Sequence, residues 1–224
     1  MKTCYAMILA AGLGQRLKPI TKTIPKPLLK INHKALLGYT IDMLLAIGIN
    51  KIVINIHYKS ELLKKYLDKN YNKIKIKLVY EPVLLDTGGG VKNAIKYFSG
   101  KSILILNSDI LWHRSTYTDI KNLINSHNVN NYECSVLLST LINSYGFEKK
   151  QGDFIINNNL LFRNNLENKG LIYSGAQVIN ISILKLFRKK TFSFNLIWDY
   201  LIKREKISGI IMKSKWLHFG NYKL

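Results

Sequence analysis

The sequence is short of proline, cysteine and acid. Only four prolines occur in 224 residues, and three of them (Pro19, Pro25 and Pro27) fall in one early stretch. That stretch therefore stands out as a shaped loop in a chain otherwise free to form regular elements. The two cysteines, Cys4 and Cys134, make no disulfide framework and lack metal-ligand spacing. Reduced thiols in a cytoplasmic protein are the expectation. No run of about 18 apolar residues exists, so no membrane span is expected. The opening MKTCYAMILAAGLG has the lysine and small residues of a secretion signal. Its apolar part is short, however, and Arg16 and Lys18 follow at once, so it reads as a buried first strand.

Acid is scarce relative to base: 13 Asp and Glu stand against 34 Lys and Arg, a formal net charge of +21. The lysines are spread along the whole chain, as in KSELLKKYLDKNYNKIKIK, with no aromatics interleaved in a nucleotide-stacking pattern. Nucleic acid is therefore not the expected partner. A small anionic substrate suits the charge, which would steer it toward the protein. With 47% hydrophobic and 21% charged residues the chain is neither disordered nor fibrous. Its length suits one domain with a full core, either monomeric or in a small homo-oligomer.

Residues 5–11 (YAMILAA) form a continuous apolar run closed by Gly12, the pattern of a strand buried on both faces. Residues 12–34 carry no periodic element, and a loop this long in a compact domain points to function. Helical spacing predicts a helix over 35–47, ended by Gly48. KIVINI (51–56) predicts a strand, 60–67 a helix, and 74–80 a half-buried strand. VKNAIKYF (91–98) predicts a helix and SILILNSD (102–109) another buried strand. This alternation predicts a Rossmann-like α/β fold with a mostly parallel sheet flanked by helices. Ligands in such sheets sit beyond the carboxyl ends of the strands. Three unusual segments fall there: 12–26, 81–90 and 107–109. Further on, strands are predicted over 134–140 and 171–180, a hairpin over 154–162 turning at Asn157–Asn159, and a helix over 194–203. The chain reads as a single domain over 1–224, whose later part is expected to lie over the sheet edge as a substrate lid.

The segment LAAGLGQRLKPITKTIPKPLL (9–29) is not a Walker A loop, because no Gly-Lys-Ser/Thr follows. It is not the dinucleotide fingerprint, because the third glycine is missing. Gly12 and Gly14 let backbone N–H groups approach phosphate. Arg16 can grip phosphate oxygens as a fork, and Lys26 is a cation tethered between two prolines. Asp109, at the end of a buried strand beside such a loop, is a candidate Mg²⁺ ligand, although a helix N-cap is the structural alternative.

These residues resemble the signature of the sugar-1-phosphate nucleotidyltransferases, L-A-A-G-x-G-x-R followed by P-K-P. EPVLLDTGGGVKNA (81–94), NSDILW (107–112), YGFEKKQGDFIINNNLLFR (145–163), YSGAQVIN (173–180), FSFNLIWDYLIKREKISGII (192–211) and WLHFGN (216–221) extend the likeness over almost the whole chain, toward the N-acetylmuramate α-1-phosphate uridylyltransferases. The resemblance implies transfer of a uridylyl group from UTP to a sugar 1-phosphate with release of pyrophosphate, in peptidoglycan recycling or nucleotide-sugar supply. It implies that about 1–130 hold the nucleotide and about 131–224 the sugar. It places Ala11, Gly12, Leu13 and Gly14 on the nucleotide, Arg16 near the departing pyrophosphate and Lys26 near the reacting phosphates. Glu81, Thr87 and Gly88 would line the base and ribose, with the Gly88–Gly90 triplet letting a base pack on the backbone. Asn107, Gly146, Asp153, Ser174 and Gly175 would face the sugar. Trp198 and Asp199 match a family motif, with core packing as the other reading of Trp198.

The family commonly carries W-x-D-V-G near its end, where the Asp is the second metal ligand. Here His218 holds that position. Asp109 and His218 would thus hold Mg²⁺, but imidazole suits Mg²⁺ less well than oxygen does, so His218 would bind Mn²⁺ better, contact Mg²⁺ through water or contact phosphate instead, with a buried structural histidine as the other reading. Two other readings stay open: a mannose- or heptose-1-phosphate guanylyltransferase-type enzyme, and a catalytically weak nucleotide-sugar sensor.

Overall fold

The computed structural model describes residues 5–130, 132–146, 151–165 and 169–220, so Cys4 lies outside it. Nine strands form one sheet: β1 (Tyr5–Leu9), β2 (Lys51–Ile56), β3 (Ile76–Tyr80), β4 (Ser102–Asn107), β5 (Cys134–Thr140), β6 (Phe154–Asn157), β7 (Leu160–Arg163), β8 (Leu171–Asn180) and β9 (Ile207–Ile211). Their spatial order is β3-β2-β1-β4-β8-β5-β9-β7-β6. The first four run parallel, and β7 and β8 alone oppose the rest. The sheet is thus mostly parallel.

Both faces are covered, which is why the central strands read as unbroken apolar runs. Alternate residues of one strand feed opposite cores. Ala6, Ile8, Leu104 and Leu106 point to one side, where they pack with α1 (Leu36–Ala46), α2 (Ser60–Tyr71) and α4 (Thr116–Val129). Met7, Ile103 and Ile105 point to the other, against α3 (Asp86–Asn93), α5 (Ile181–Leu184) and α6 (Phe194–Ile202). Each fully buried Leu, Ile or Met contributes about 1.5–3 kcal/mol of transfer free energy.

Several expectations need correction. The later half does not lie over the sheet edge as a lid. It adds five strands to the sheet, with β8 inserted antiparallel between β4 and β5. The helix expected from Val91 begins at Asp86, so the glycine triplet lies inside it. Helix α4 was hidden by buried polar residues at its core-facing positions. Asp119 is buried there because its carboxylate accepts the N–H groups of Lys213 and Ser214 at 3.0 and 3.1 Å. His127 is buried because Ser135 and Asn180 meet its ring. The hairpin forms as expected, with Asn158 and Asn159 at φ 47° and 65°, the positive values a two-residue turn requires.

Candidate active site

The carboxyl ends of β1 to β4 surround a cleft of about 500 Å³. Ala11, Gly12, Gly14, Arg16 and Lys26 line one wall, Asn107, Ser108 and Asp109 the floor, and Asn55, Glu81, Asp86 and Thr87 the other wall. The three segments beyond β1, β3 and β4 therefore meet at one site.

The loop after β1 is held open by its own backbone. Gly14 sits at φ 62°, where its carbonyl accepts both the Leu17 N–H (3.0 Å) and the hydroxyl of buried Thr21 (2.8 Å). A Cβ at position 14 would come within 3.0 Å of the Thr21 methyl, so glycine is needed for both conformation and space. Gly12 faces open space, Leu13 is half-buried, and Arg16 is exposed with no hydrogen bond or ion pair among the described residues. Lys26 opens a single 3-10 turn (Lys26–Leu28) between Pro25 and Pro27, which aims its ammonium across the cleft.

That ammonium reaches Asp109. Lys26 Nζ lies 2.6 Å from Asp109 Oδ2, and His218 Nε2 lies 3.3 Å from the same oxygen. Ser108 anchors the carboxylate's segment, because its N–H and hydroxyl both donate to the Leu9 carbonyl at 3.3 and 2.7 Å. Ser108 is thus a tie between β4 and β1. Burial alone would push the Asp109 pKa up. The hydrogen bond from His218 and the Lys26 charge outweigh it and hold the carboxyl well below the usual carboxylate range. Asp109 Oδ1 is buried with no hydrogen-bond partner among the described residues. An anionic oxygen left in that state fits a cation bound beside it.

His218 is brought to the site by a return of the chain. Trp216–Leu217 pairs in parallel with Ser144–Tyr145, and Phe219 N–H donates to the Asp109 carbonyl at 2.9 Å. The imidazole stacks on Trp216 (centroids 5.4 Å apart, 10° between planes), and its Nδ1 lies 3.3 Å from the Gly146 carbonyl. Among the described residues no three His, Cys, Asp or Glu side chains converge as a metal cluster. Asp109 and His218 are the two such groups brought together here.

On the opposite wall Glu81 is 1% exposed, with both carboxylate oxygens engaged. Oε1 accepts from Asn55 Nδ2 (2.8 Å) and Oε2 from the Leu85 N–H (3.2 Å). Thr87 lines the cleft, and its hydroxyl oxygen accepts the Phe194 N–H at 3.0 Å. Gly88 is not among the residues lining the cleft, and the Cβ direction at each glycine of the triplet is filled by protein. A Cβ at Gly88 would lie 2.5 Å from the Phe192 ring, at Gly89 2.3 Å from the Lys190 carbonyl, and at Gly90 2.7 Å from Glu81 Oε1. All three glycines are there for close packing, in which the segment around Phe192 straps the start of α3.

The expected sugar side also separates. Asn107 lines the cleft, and Gly146 lies beside His218. Ser174, Gly175 and Asp153 are not among the cleft's lining residues. Ser174 is fully buried and donates its hydroxyl to the Leu137 carbonyl at 2.8 Å, while its own carbonyl accepts Trp216 Nε1–H at 2.7 Å. Gly175 is buried against Asn107 and Ile110. The Asp153 carboxylate accepts the Tyr173 N–H at 3.3 Å. These residues support the wall behind Asn107 and Trp216. Trp198 is core packing: it donates to Gln177 at 2.8 Å and meets Phe154, Tyr173 and Phe194. Asp199 pairs with Arg163 at 2.8 Å.

Sequence reasoning passed over Asn55, Asp86 and Thr191, all of which line the cleft. Asn55 was detectable, as the one polar residue in the apolar run IVINI (52–56), near the carboxyl end of a central strand. Thr191 carried no signal, since the strap that delivers it is made by contacts with α3.

A doubly wound sheet with a cationic, glycine-turned loop and a floor carboxylate at its carboxyl edge defines a nucleotide-handling α/β enzyme. Residues 5–150 match the family described as nucleotidyl transferase, and the chain belongs to it. It is similar to N-acetylmuramate alpha-1-phosphate uridylyltransferase of Caulobacter vibrioides, at 27% identity over 96% of this chain and 91% of that protein. It is also similar to D-glycero-alpha-D-manno-heptose 1-phosphate guanylyltransferase of Campylobacter jejuni, at 39% identity over 46% of this chain and 47% of that protein. A crystal structure of HddC from Yersinia pseudotuberculosis complexed with GMP-PN matches all of this chain and 96% of that one, with a TM-score of 0.77 and 25% identity. The protein is a sugar-1-phosphate nucleotidyltransferase, acting on an NTP and a sugar phosphate. No helix among the described residues is long and apolar enough to cross a membrane.

Proposed function

We propose that the protein transfers a uridylyl group from UTP to N-acetylmuramate 1-phosphate, releasing pyrophosphate. The observation that carries this reading is the likeness to the Caulobacter uridylyltransferase over nearly the full length of both chains. The whole chain acts as one unit, with about 1–130 holding the nucleotide and about 131–224 the sugar side.

A phosphate oxygen of the sugar 1-phosphate attacks the α-phosphorus of UTP. The new P–O bond forms as the bond to pyrophosphate breaks. The nucleophile is already anionic, so positioning and charge neutralisation are what the site supplies. The backbone N–H groups from Ala11 to Gly14 and the Arg16 guanidinium hold the departing pyrophosphate. Lys26 exchanges its contact with Asp109 for the reacting phosphates. The Glu81–Thr87 segment walls the base and ribose, and Asn107 and Gly146 border the sugar. Asp109 and His218 would hold a divalent cation, and Asp109 Oδ1, buried with no hydrogen-bond partner among the described residues, supports that role. When bound, Mg²⁺ or Mn²⁺ supplies further charge neutralisation at the phosphates.

Guanylyl transfer to a heptose or mannose 1-phosphate is the second reading, favoured by the 39% identity to the Campylobacter enzyme over 104 residues. Pyrophosphate release measured with each of four NTPs and a panel of sugar 1-phosphates decides between the two. The expected result is the highest kcat/KM for UTP with N-acetylmuramate 1-phosphate. A preference for GTP with a heptose or mannose phosphate establishes the second reading. No release with any pair, with nucleotide still raising the melting temperature, indicates a sensor.

A further inference from the structure

We propose that Asn55 is a positioning residue for nucleotidyl transfer, the bolt that joins the phosphate-side loop after β1 to the base-side loop after β3. Asn55 is the penultimate residue of β2, in the middle of the wall formed by these loops, and is 3% exposed. Its Oδ1 accepts the Ala10 N–H at 2.9 Å, at the root of the Ala11–Gly14 loop. Its Nδ2 donates to Glu81 Oε1 at 2.8 Å. Glu81 passes the constraint on by accepting the Leu85 N–H at the entry to α3. One side chain thereby sets the spacing between the two segments that flank a bound nucleotide.

The bridge needs a side chain that accepts at one atom and donates at another, as the Asn55 amide does. Ala10 offers a donor and Glu81 an acceptor, so the residue between them must accept on one side and donate on the other. The orientation follows, because a flipped amide would set N–H against N–H and oxygen against carboxylate. Glu81 is buried, has no ion pair among the described residues, and relies on the Asn55 and Leu85 N–H groups to satisfy it. The bridge is closed over by Gly90, where a Cβ would lie 2.7 Å from Glu81 Oε1 and 2.9 Å from Asn55 Nδ2. Among the described residues the hydrogen bonds of the bridge run between Ala10, Asn55, Glu81 and Leu85, and not to the sugar-side residues Asn107 or Gly146.

The inference rests on the nucleotide occupying this cleft, and it holds for whichever NTP the protein prefers. The test is steady-state pyrophosphate release with the preferred NTP, reading the two KM values and kcat separately. Asn55→Leu removes both hydrogen bonds and is expected to raise the nucleotide KM about 10- to 100-fold, the scale of hydrogen bonds involving a charged partner, while the sugar-phosphate KM changes little. Glu81→Gln alone is expected to raise the nucleotide KM as well, because its amide cannot accept from both donors. Adding Asn55→Asp to Glu81→Gln reverses the polarity of the bridge and satisfies every group again. Recovery of the nucleotide KM in that double variant supports the proposal. This comparison also carries the test if Asn55→Leu does not fold. An unchanged nucleotide KM in Asn55→Leu, an equal rise in both KM values, or no repair of Glu81→Gln by Asn55→Asp overturns it. If the unaltered protein releases pyrophosphate with no NTP, the functional reading fails instead.

Discussion

Lys26→Met separates the two jobs the structure allows this lysine. The substitution keeps most of the stem and deletes the charge. In the structure the ammonium sits 2.6 Å from Asp109 Oδ2, with the two side chains 13% and 22% exposed. At an effective dielectric near 20 the gross attraction is about 6 kcal/mol, most of it offset by desolvating both groups. A pair shielded to this degree falls between exposed pairs, worth under about 1 kcal/mol, and fully buried ones, whose disruption costs about 3–5 kcal/mol. The expected stability loss is therefore about 1–3 kcal/mol, or roughly 2–12 °C in melting temperature for a chain of this size. If Lys26 also neutralises the reacting phosphates, kcat falls by about 10²- to 10³-fold, the cost of removing one preorganised charge stabiliser. Thermal melts and pyrophosphate release at saturating substrates read the two effects apart. A lowered melting temperature with kcat within about twofold of the unaltered protein would refute the catalytic assignment, leaving Lys26 as nothing more than the counter-ion of Asp109.

If Asp109 and His218 hold the cation as proposed, His218→Asp offers it a second carboxylate, so the metal titration of activity should shift toward Mg²⁺ over Mn²⁺; equal loss in both ions would assign the imidazole a task of its own. Ser174→Ala removes a buried hydroxyl bonded to Leu137 and should cost about 1 kcal/mol in denaturant unfolding. A large rise in sugar-phosphate KM without that cost would return Ser174 to the sugar site. His127 is held neutral by burial, which lowers its pKa below the ordinary 6.5 despite the hydrogen bond with Asn180. Its folded-state pKa is thus below its unfolded one, and the unfolded chain binds the extra proton first as pH falls. The contribution of His127 to stability is complete above about pH 6.5 and declines as pH drops toward the folded pKa. In His127→Gln the melting temperature should lose part of its fall between pH 6.5 and 5; an identical slope would show that other groups carry it.

The parallel half of the fold was legible in the chain because burial on both faces leaves unbroken apolar runs such as YAMIL and SILIL, with loops shaped by glycine and proline between them. Gly12, Gly14, Arg16, Lys26 and Asp109 were legible for a related reason. Glycines, cations and a carboxylate stand out at strand ends, and the strand order brings those ends to one cleft. Helix α4 escaped because Asp119 and His127 are buried on partners far away in sequence, which spoils the apolar period. The roles of Ser174, Gly175 and the Gly88–Gly90 triplet could not be read from spacing. A buried hydroxyl and a ligand-facing one look alike in sequence, and whether a glycine opens toward a nucleotide or toward Phe192 depends on which segment packs there. The meeting of His218 with Asp109 likewise depends on residues 216–220 returning beside 144–146. Local residue patterns determined the strands, the loop after β1 and its cations. Long-range packing decided which polar groups were left facing the cleft and which were used up holding it in shape, because that division follows from hydrogen-bond partners supplied by distant parts of the chain.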